Sequence, residues 1–258
     1  MKWDFFDEIY CINLYTAEDR FLHIKKLAKK YSIPIKFYRT HRHKKGGLHG
    51  CFESHISVIK KAYENGVENI LVLEDDLQPG TVTQKHLDRA VNFMKKNKAW
   101  SIFYLGAVPD LRKGSCHKIK GFSHVYQLKS ICTHAYAINR RAMKKLKNLT
   151  YQGTPIDYYF RDNIRCYGIY PSVFYQGGFE SSITSGFDWH SRILPGIVGF
   201  YFRALEFYSY HVGFSRSQIL AILIVCILWF VLRMHKKISP FLLPFLLTFI
   251  FCCKIFIV

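Results

Sequence analysis

Acidic residues are scarce in this 258-residue chain. Asp and Glu number 18 against 37 Lys and Arg, and the formal net charge is +19. The surplus is not a basic tail, because Ser217 to Val258 holds four basic residues and leaves about +15 to the first 216. A basic domain suits nucleic acid, anionic lipid or a phosphate-bearing small molecule, and charge alone does not choose among them. CxxC pairs are missing as well. Cys11, Cys51, Cys116, Cys132, Cys166, Cys226, Cys252 and Cys253 follow no regular spacing, which speaks against a disulfide framework or a zinc knuckle. The amino terminus, Met1 to Glu8, has acids where a secretory signal would have an apolar stretch, so a reducing compartment is expected. Repeats and low-complexity segments are absent. Half of the residues are hydrophobic and 17% aromatic, too apolar for a disordered solvating chain.

What is present divides near Ser217. Over the first 190 residues, short apolar runs alternate with helical patterns. Ile9–Leu14, Ile35–Tyr38, Ile70–Leu73 and Ser101–Leu105 read as strands, with others near Val125 and Tyr136. Glu18–Tyr31, Phe52–Asn65 (closed by Gly66), Gln84–Asn97 and Arg140–Leu149 read as helices. Ile70–Leu73 is a bare apolar run, as in a strand buried on both faces. The rhythm predicts an α/β domain with a mainly parallel sheet over residues 1–190. Residues 191–216 interleave aromatic and basic side chains and fit an interfacial or a core-packing helix. Residues 217–258 hold a charge-free run of fourteen residues, Ile219–Leu232, a basic patch Arg233–Lys237, and a second apolar run broken by Pro240 and Pro244. The first run is short of the about 20 residues that span a bilayer, so the expectation is a membrane-inserting hydrophobic hairpin, spanning or shallow.

The chemistry is expected where that bare strand ends. Glu74-Asp75-Asp76 follows it, and in an open α/β sheet ligands bind outside the carboxyl ends of the strands. Side chains alternate along an extended chain, so Glu74 and Asp76 share a face and Asp75 points away. Two carboxylates on one face, with no His or Cys spaced beside them, suit a hard cation, Mg²⁺ or Mn²⁺, shared with substrate phosphates. The plain alternative is a solvated turn. Neighbours on one strand cannot flank a sugar at about 5 to 9.5 Å, which disfavours a glycosidase pair. The run His41-Arg42-His43-Lys44-Lys45-Gly46-Gly47 reads as a solvated loop, compatible also with a loop closing over a diphosphate.

Several motifs occur in register: Asn13-Leu14 with Asp19-Arg20, Gly50-Cys51-Phe52-Glu53-Ser54-His55, Val72-Leu73-Glu74-Asp75-Asp76, Thr133-His134-Ala135-Tyr136-Ala137-Ile138, Pro155-Ile156-Asp157, and Gln176 to Ile183. Over residues 8 to 185 they resemble glycosyltransferase family 25, the family of lipooligosaccharide and collagen-type galactosyltransferases. The resemblance implies a GT-A-like nucleotide-sugar-binding fold whose acidic triplet holds Mn²⁺ or Mg²⁺ against the diphosphate of a UDP-sugar. By that match Asp76 is the direct metal ligand, with Glu74 beside it, and Glu74 or Asp75 touches the ribose or sugar. It also implies transfer of galactose or glucose with inversion, which needs one general base. Asp157 is the first candidate and Glu180 the second, although Asp157 could equally cap the helix after Pro155. Asn13 and Arg20 fall where a strand passes into a helix and are candidates for holding uridine or phosphate. Ser54, His55 and His134 are candidate donor contacts, or buried hydrogen-bonded side chains. His190 has no dependable family counterpart and is not counted among the ligands.

The expected function is therefore a metal-dependent, membrane-associated hexosyltransferase. It would use a UDP-hexose and a glycan acceptor, lipid-linked as in lipooligosaccharide synthesis, with its catalytic domain on the cytosolic face and no nucleic acid as partner. Two rivals stand beside it: a basic, membrane-tethered binding protein for nucleic acid or anionic lipid, and phosphoryl or nucleotidyl transfer at the same metal.

Overall fold

The alternation of apolar side chains along three central strands builds two cores, one on each face of a sheet. The computed structural model describes residues 2–110, 114–177 and 210. The chain divides into two units, Met1–Val212 and Gly213–Val258, and every described residue lies in the first. Its elements run β1 (Glu8–Leu14), α1 (Glu18–Tyr31), β2 (Ile35–Thr40), α2 (Gly47–Glu64), β3 (Asn69–Glu74), β4 (Leu77–Pro79), α3 (Gln84–Lys96) and β5 (Ile102–Gly106). Then follow β6 (Cys116–Lys118), β7 (Val125–Leu128), β8 (Ala135–Asn139), α4 (Arg140–Leu146), α5 (Ile156–Asn163), β9 (Cys166–Ile169) and β10 (Phe174–Gln176).

Eight strands form one sheet in the order β2-β1-β3-β8-β5-β9-β7-β6, and β10 pairs with β4 in a separate ribbon. On β3, Leu71 and Leu73 face one core while Ile70 and Val72 face the other. The same split recurs on β5 and β8. Helices α1 and α3 cover the first face with Ile24, Leu27, Leu87, Phe93 and Met94. Helices α2, α4 and α5 cover the second with Phe52, Ile59, Met143, Ile156 and Phe160. All four apolar residues of β3 are fully buried, as a bare apolar strand should be.

Six of the eight strands point the same way, in line with the mainly parallel sheet read from the sequence. The pairing differs from that reading: only β1·β2, β1·β3 and β5·β9 are parallel, and the four pairings made by β8 and β7 are antiparallel. For β6 and β7 the physical reason is connection length: the link from Lys118 to Val125 is too short for the crossover of about a dozen residues that a parallel return requires, so the two form a hairpin.

Helix α2 starts at Gly47, not at Phe52, and closes as expected with Gly66 in the left-handed region at φ +80°. Strands β4, β6, β9 and β10 went unread, being three or four residues long and too short to show a period.

Among the described residues no helix is long and apolar enough to cross a membrane. The tail read as membrane-inserting, 217–258, lies outside the described residues, and so does 191–216 apart from Tyr210. That ring is buried and packs edge-on to Tyr126 at 4.7 Å and against Tyr170 at 4.6 Å.

Candidate active site at the carboxyl ends of β1 and β3

From β1 the chain passes to β2 on one side, while β3 lies on the other. That reversal makes a crevice at the carboxyl ends of β1 and β3, where an open α/β sheet takes its ligand. Antiparallel β8 begins at that edge, with Ala135 opposite Leu73 and Gly106. Asn13, Glu74-Asp75-Asp76, Thr133 and His134 are thereby gathered from three segments distant in sequence.

The three acids diverge. Asp75 turns to the α1 side, accepting from Asn13 Nδ2 at 2.7 Å and pairing with Arg20 Nη1 at 2.9 Å, both side chains largely buried. Burial works against the Arg20 charge, but Asp75 overrides it and the guanidinium pKa moves up. Arg39, directly across from Asn13 in the β1·β2 register, donates from Nε to Asn13 Oδ1 at 3.0 Å and lies over the rings of Tyr15 and Phe21. Asn13 and Arg20 thus form a braced floor under Asp75.

Glu74 and Asp76 interact strongly but have different partners. Glu74 Oε1 accepts from Thr133 Oγ1 at 2.9 Å and lies 3.5 Å from His55 Nε2. Burial alone would raise the Glu74 pKa, and the hydrogen bond and charge of His55 outweigh it, so Glu74 is held ionised. His55 is 1% exposed, and its Nδ1 meets the Tyr136 hydroxyl at 3.0 Å. The ring thus bridges Glu74 and the Tyr136 hydroxyl. Burial, then the Glu74 charge, push the Tyr136 phenol far up, so it stays a donor.

Asp76 is buried with one oxygen unmatched. Its Oδ2 accepts from Gln176 Nε2 at 3.1 Å, while Oδ1 has no hydrogen-bond partner among the described residues. Desolvation, with Glu74 beside it, lifts the pKa from 3.8 to about 7 against the opposing pull of Arg20. A buried carboxylate oxygen of that kind lacks a positive charge. The residues fit a divalent ion there, with Asp76 and Glu74 as the side chains to hold it, while Asp75 is spent on Arg20.

The segment that opens the last motif seals this end. Gly177 N donates to Asp76 O at 2.6 Å, and a Cβ at Gly177 would meet that same oxygen at 2.5 Å. Gly106 serves His134 likewise, since its own Cβ would lie 2.4 Å from both His134 Nε2 and Phe174 O. His134 is buried, donates from Nε2 to Phe174 O at 3.4 Å, and has its pKa lowered by desolvation. It is neutral, and its Nδ1 has no partner among the described residues.

The other expected residues fall as follows. Asp157 stands in the first turn of α5, with Oδ1 accepting from Tyr158 N at 2.9 Å. Burial raises its pKa against those backbone bonds, and it lies close enough to exchange charge effects with Glu74 and His55. The N-cap of α5 is Pro155, which makes no side-chain cap bond, so Asp157 sits inside the first turn and neighbours the acidic end. Ser54 gives its hydroxyl to Gly50 O at 2.7 Å within α2. His55 is a brace for Glu74 and not an exposed contact. Glu180 and His190 lie outside the described residues. Arg39 escaped sequence reasoning, because only the β1·β2 register brings it to Asn13. Tyr136 and Gln176 lay inside the motifs, with no sign that they brace His55 and Asp76. Cys51 and Cys132 border the site as free thiols, both pushed up first by burial and then by the Glu74 charge.

This is a three-layer α/β domain with an acidic strand end at its switch point, the class of open-sheet domains that take a ligand at one edge. Within it, residues 45–160 match the model of glycosyltransferase family 25 (LPS biosynthesis protein), the family that the motifs resemble. No curated protein matches the chain. Among solved structures it is similar to A197 from STIV (15% identity, 68% of this chain and 87% of that one, TM-score 0.45). It is also similar to a glycosyltransferase involved in glycosylation of the major capsid of PBCV-1 (13%, 66% and 94%, TM-score 0.37). A third is the mannose-1-phosphate geranyltransferase of Thermus thermophilus (10%, 63% and 72%, TM-score 0.35).

Proposed function

We propose that the chain is a divalent-metal-dependent, inverting glycosyltransferase with a GT-A-like domain, moving galactose or glucose from a UDP-sugar to a glycan acceptor. The observation that carries the reading is Asp76, a buried carboxylate beside ionised Glu74 with one oxygen unmatched. A divalent ion held by Asp76 and Glu74 supplies, when bound, stabilisation of the charge that gathers on a leaving diphosphate. His55 and Thr133 keep Glu74 ionised and aimed, and Tyr136 keeps His55 in place. The Asn13, Arg20 and Asp75 floor fixes the crevice wall on the donor side. Asp157 takes the proton of the acceptor hydroxyl, and its raised pKa brings it nearer the range in which a base works at neutral pH. The apolar tail of residues 217–258 holds the domain at the cytosolic face of a membrane, near a lipid-linked acceptor.

A donor panel read by released UDP tests the reading. One UDP-hexose should turn over in Mn²⁺ or Mg²⁺ and not in EDTA, and Asp76→Asn should abolish turnover. Asp157→Asn should lower the rate at nearly unchanged UDP affinity, whereas an unaltered rate removes Asp157 as base. Absence of UDP release with every donor, together with metal-independent UDP binding, overturns the assignment.

A further inference from the structure

A second cluster of metal-ligand atoms stands apart from the acidic strand end. Among the described residues, His43, His49 and Glu53 each bring a ligand atom within 4.8 Å of the other two. Glu53 Oε2 is 3.2 Å from His43 Nε2, and Glu53 Oε1 is 2.8 Å from His49 Nε2. His49 and Glu53 are one helical turn apart on α2, which puts both on the same face. His43 comes from the loop between β2 and α2.

The trio is held by packing. The two imidazoles stack in parallel with centroids 4.3 Å apart, and Tyr151 backs His49 at 4.8 Å. Gly50 leaves the gap that His43 fills, since a Cβ there would meet His43 Cβ at 2.8 Å. His49 is 15% exposed and Glu53 50%, so the cluster is braced on one side and open to ions on the other.

We infer that His43, His49 and Glu53 bind one zinc-class transition-metal ion, which pins the β2–α2 loop to the first turns of α2. Two imidazole nitrogens and a carboxylate oxygen are the ligand set of such an ion, unlike the all-oxygen set at Glu74 and Asp76. Ligands at about 2.0 to 2.1 Å in a tetrahedron lie about 3.3 Å apart, close to the two His–Glu53 spacings found here, and binding turns the stacked imidazoles out of parallel so that both lone pairs meet one point. Loading displaces the proton from each Nε2. On His43 the proton is then carried by Nδ1, so that ring gives up the bond its Nδ1 accepts from Lys45 N at 3.2 Å. The loop beside it contains Gly46 at φ +104°, and the fourth position is left for water. Arg42, Lys44 and Lys45 lie in the same loop and disfavour a further cation, so a single ion is expected. The inference is independent of the reading given to the acidic triplet.

The test is a Co²⁺ titration of the full chain, stripped with EDTA and followed by visible absorption, with Zn²⁺ as competitor. One equivalent of Co²⁺ should give a ligand-field band that one equivalent of Zn²⁺ removes. Glu53→Gln and His49→Gln should each weaken binding at least about tenfold, while Asp76→Asn leaves the band unchanged. Equal urea midpoints of wild type and Glu53→Gln in EDTA establish that the variant is folded. His43→Gln, on the loop side, repeats the test should the α2 variants unfold. A missing band, or one that survives Glu53→Gln and His43→Gln, overturns the site. A band lost only in Asp76→Asn assigns the ion to the acidic end and overturns it as well.

Discussion

Replacing Asp76 by Asn in the metal-free protein should stabilise the chain, and by more at pH 8 than at pH 5. Asp76 titrates near 3.8 when exposed and at about 7 when folded, because burial and the neighbouring Glu74 disfavour its charge. Between those values the folded chain keeps a proton that the unfolded chain has released. Stability therefore falls as pH rises through that window, and above about 7 the whole penalty is in place. Three pH units correspond to about 4 kcal/mol at most, and the part acquired between pH 5 and pH 8 to about 2–3 kcal/mol. Asn carries no such penalty, still accepts from Gln176 through its carbonyl, and has no charge to set against Glu74. Urea unfolding of both proteins in EDTA at the two pH values measures the difference. Adding Mg²⁺ at pH 8 should narrow the gap. An ion at a hundred times its dissociation constant stabilises wild type by about 2.7 kcal/mol, and the variant should gain little. A stability difference that is the same at both pH values, or an equal gain from Mg²⁺ in both proteins, refutes the reasoning.

Other perturbations test the surrounding geometry. Arg20→Ala breaks a pair whose side chains are 12% and 9% exposed, and should cost about 3 kcal/mol in urea unfolding. The Asn13 amide left on Asp75 keeps the loss toward the low end of what buried pairs show. Gly106→Ala sets a methyl against backbone at Phe174 and the ring of His134, and should cost about 1–3 kcal/mol, read as a lowered melting temperature. For turnover, the raised pKa of Asp157 predicts a rate that climbs with pH through an acid limb. Asp157→Asn should remove that limb from the pH profile of kcat.

Helix α1 was legible to the residue because Phe21, Ile24 and Leu27 repeat at helical spacing, and β3 because four apolar residues stand together. Strands such as β10 were not legible, since Phe174–Gln176 acquires its meaning from pairing with Leu77–Pro79. The acidic triplet was visible as composition, but the alternation expected of an extended chain does not govern it, because β3 ends at Glu74 and Asp75-Asp76 form a turn. It could not be foretold that Arg20 and Asn13 would take Asp75, or that Asp76 would keep an oxygen without a partner among the described residues. Those outcomes depend on residues 55 and 62 positions away, and on β10 a hundred positions further on. The basic loop before α2 shows the reverse case. As sequence it is a charged, solvated run, and only the close packing of His43 against Gly50 turns it into one side of a ligand cluster.

Periodicity, charge and motif order by themselves determined the α/β layering, the strand whose end carries the acids, and the family the chain resembles, because each is a property of neighbours along the chain. Tertiary structure alone decided which carboxylate is paired with an arginine, which is braced by a histidine and a threonine, and which is buried with one oxygen unmatched among the described residues. The energy of a buried charge is set by groups that meet only when the strands align.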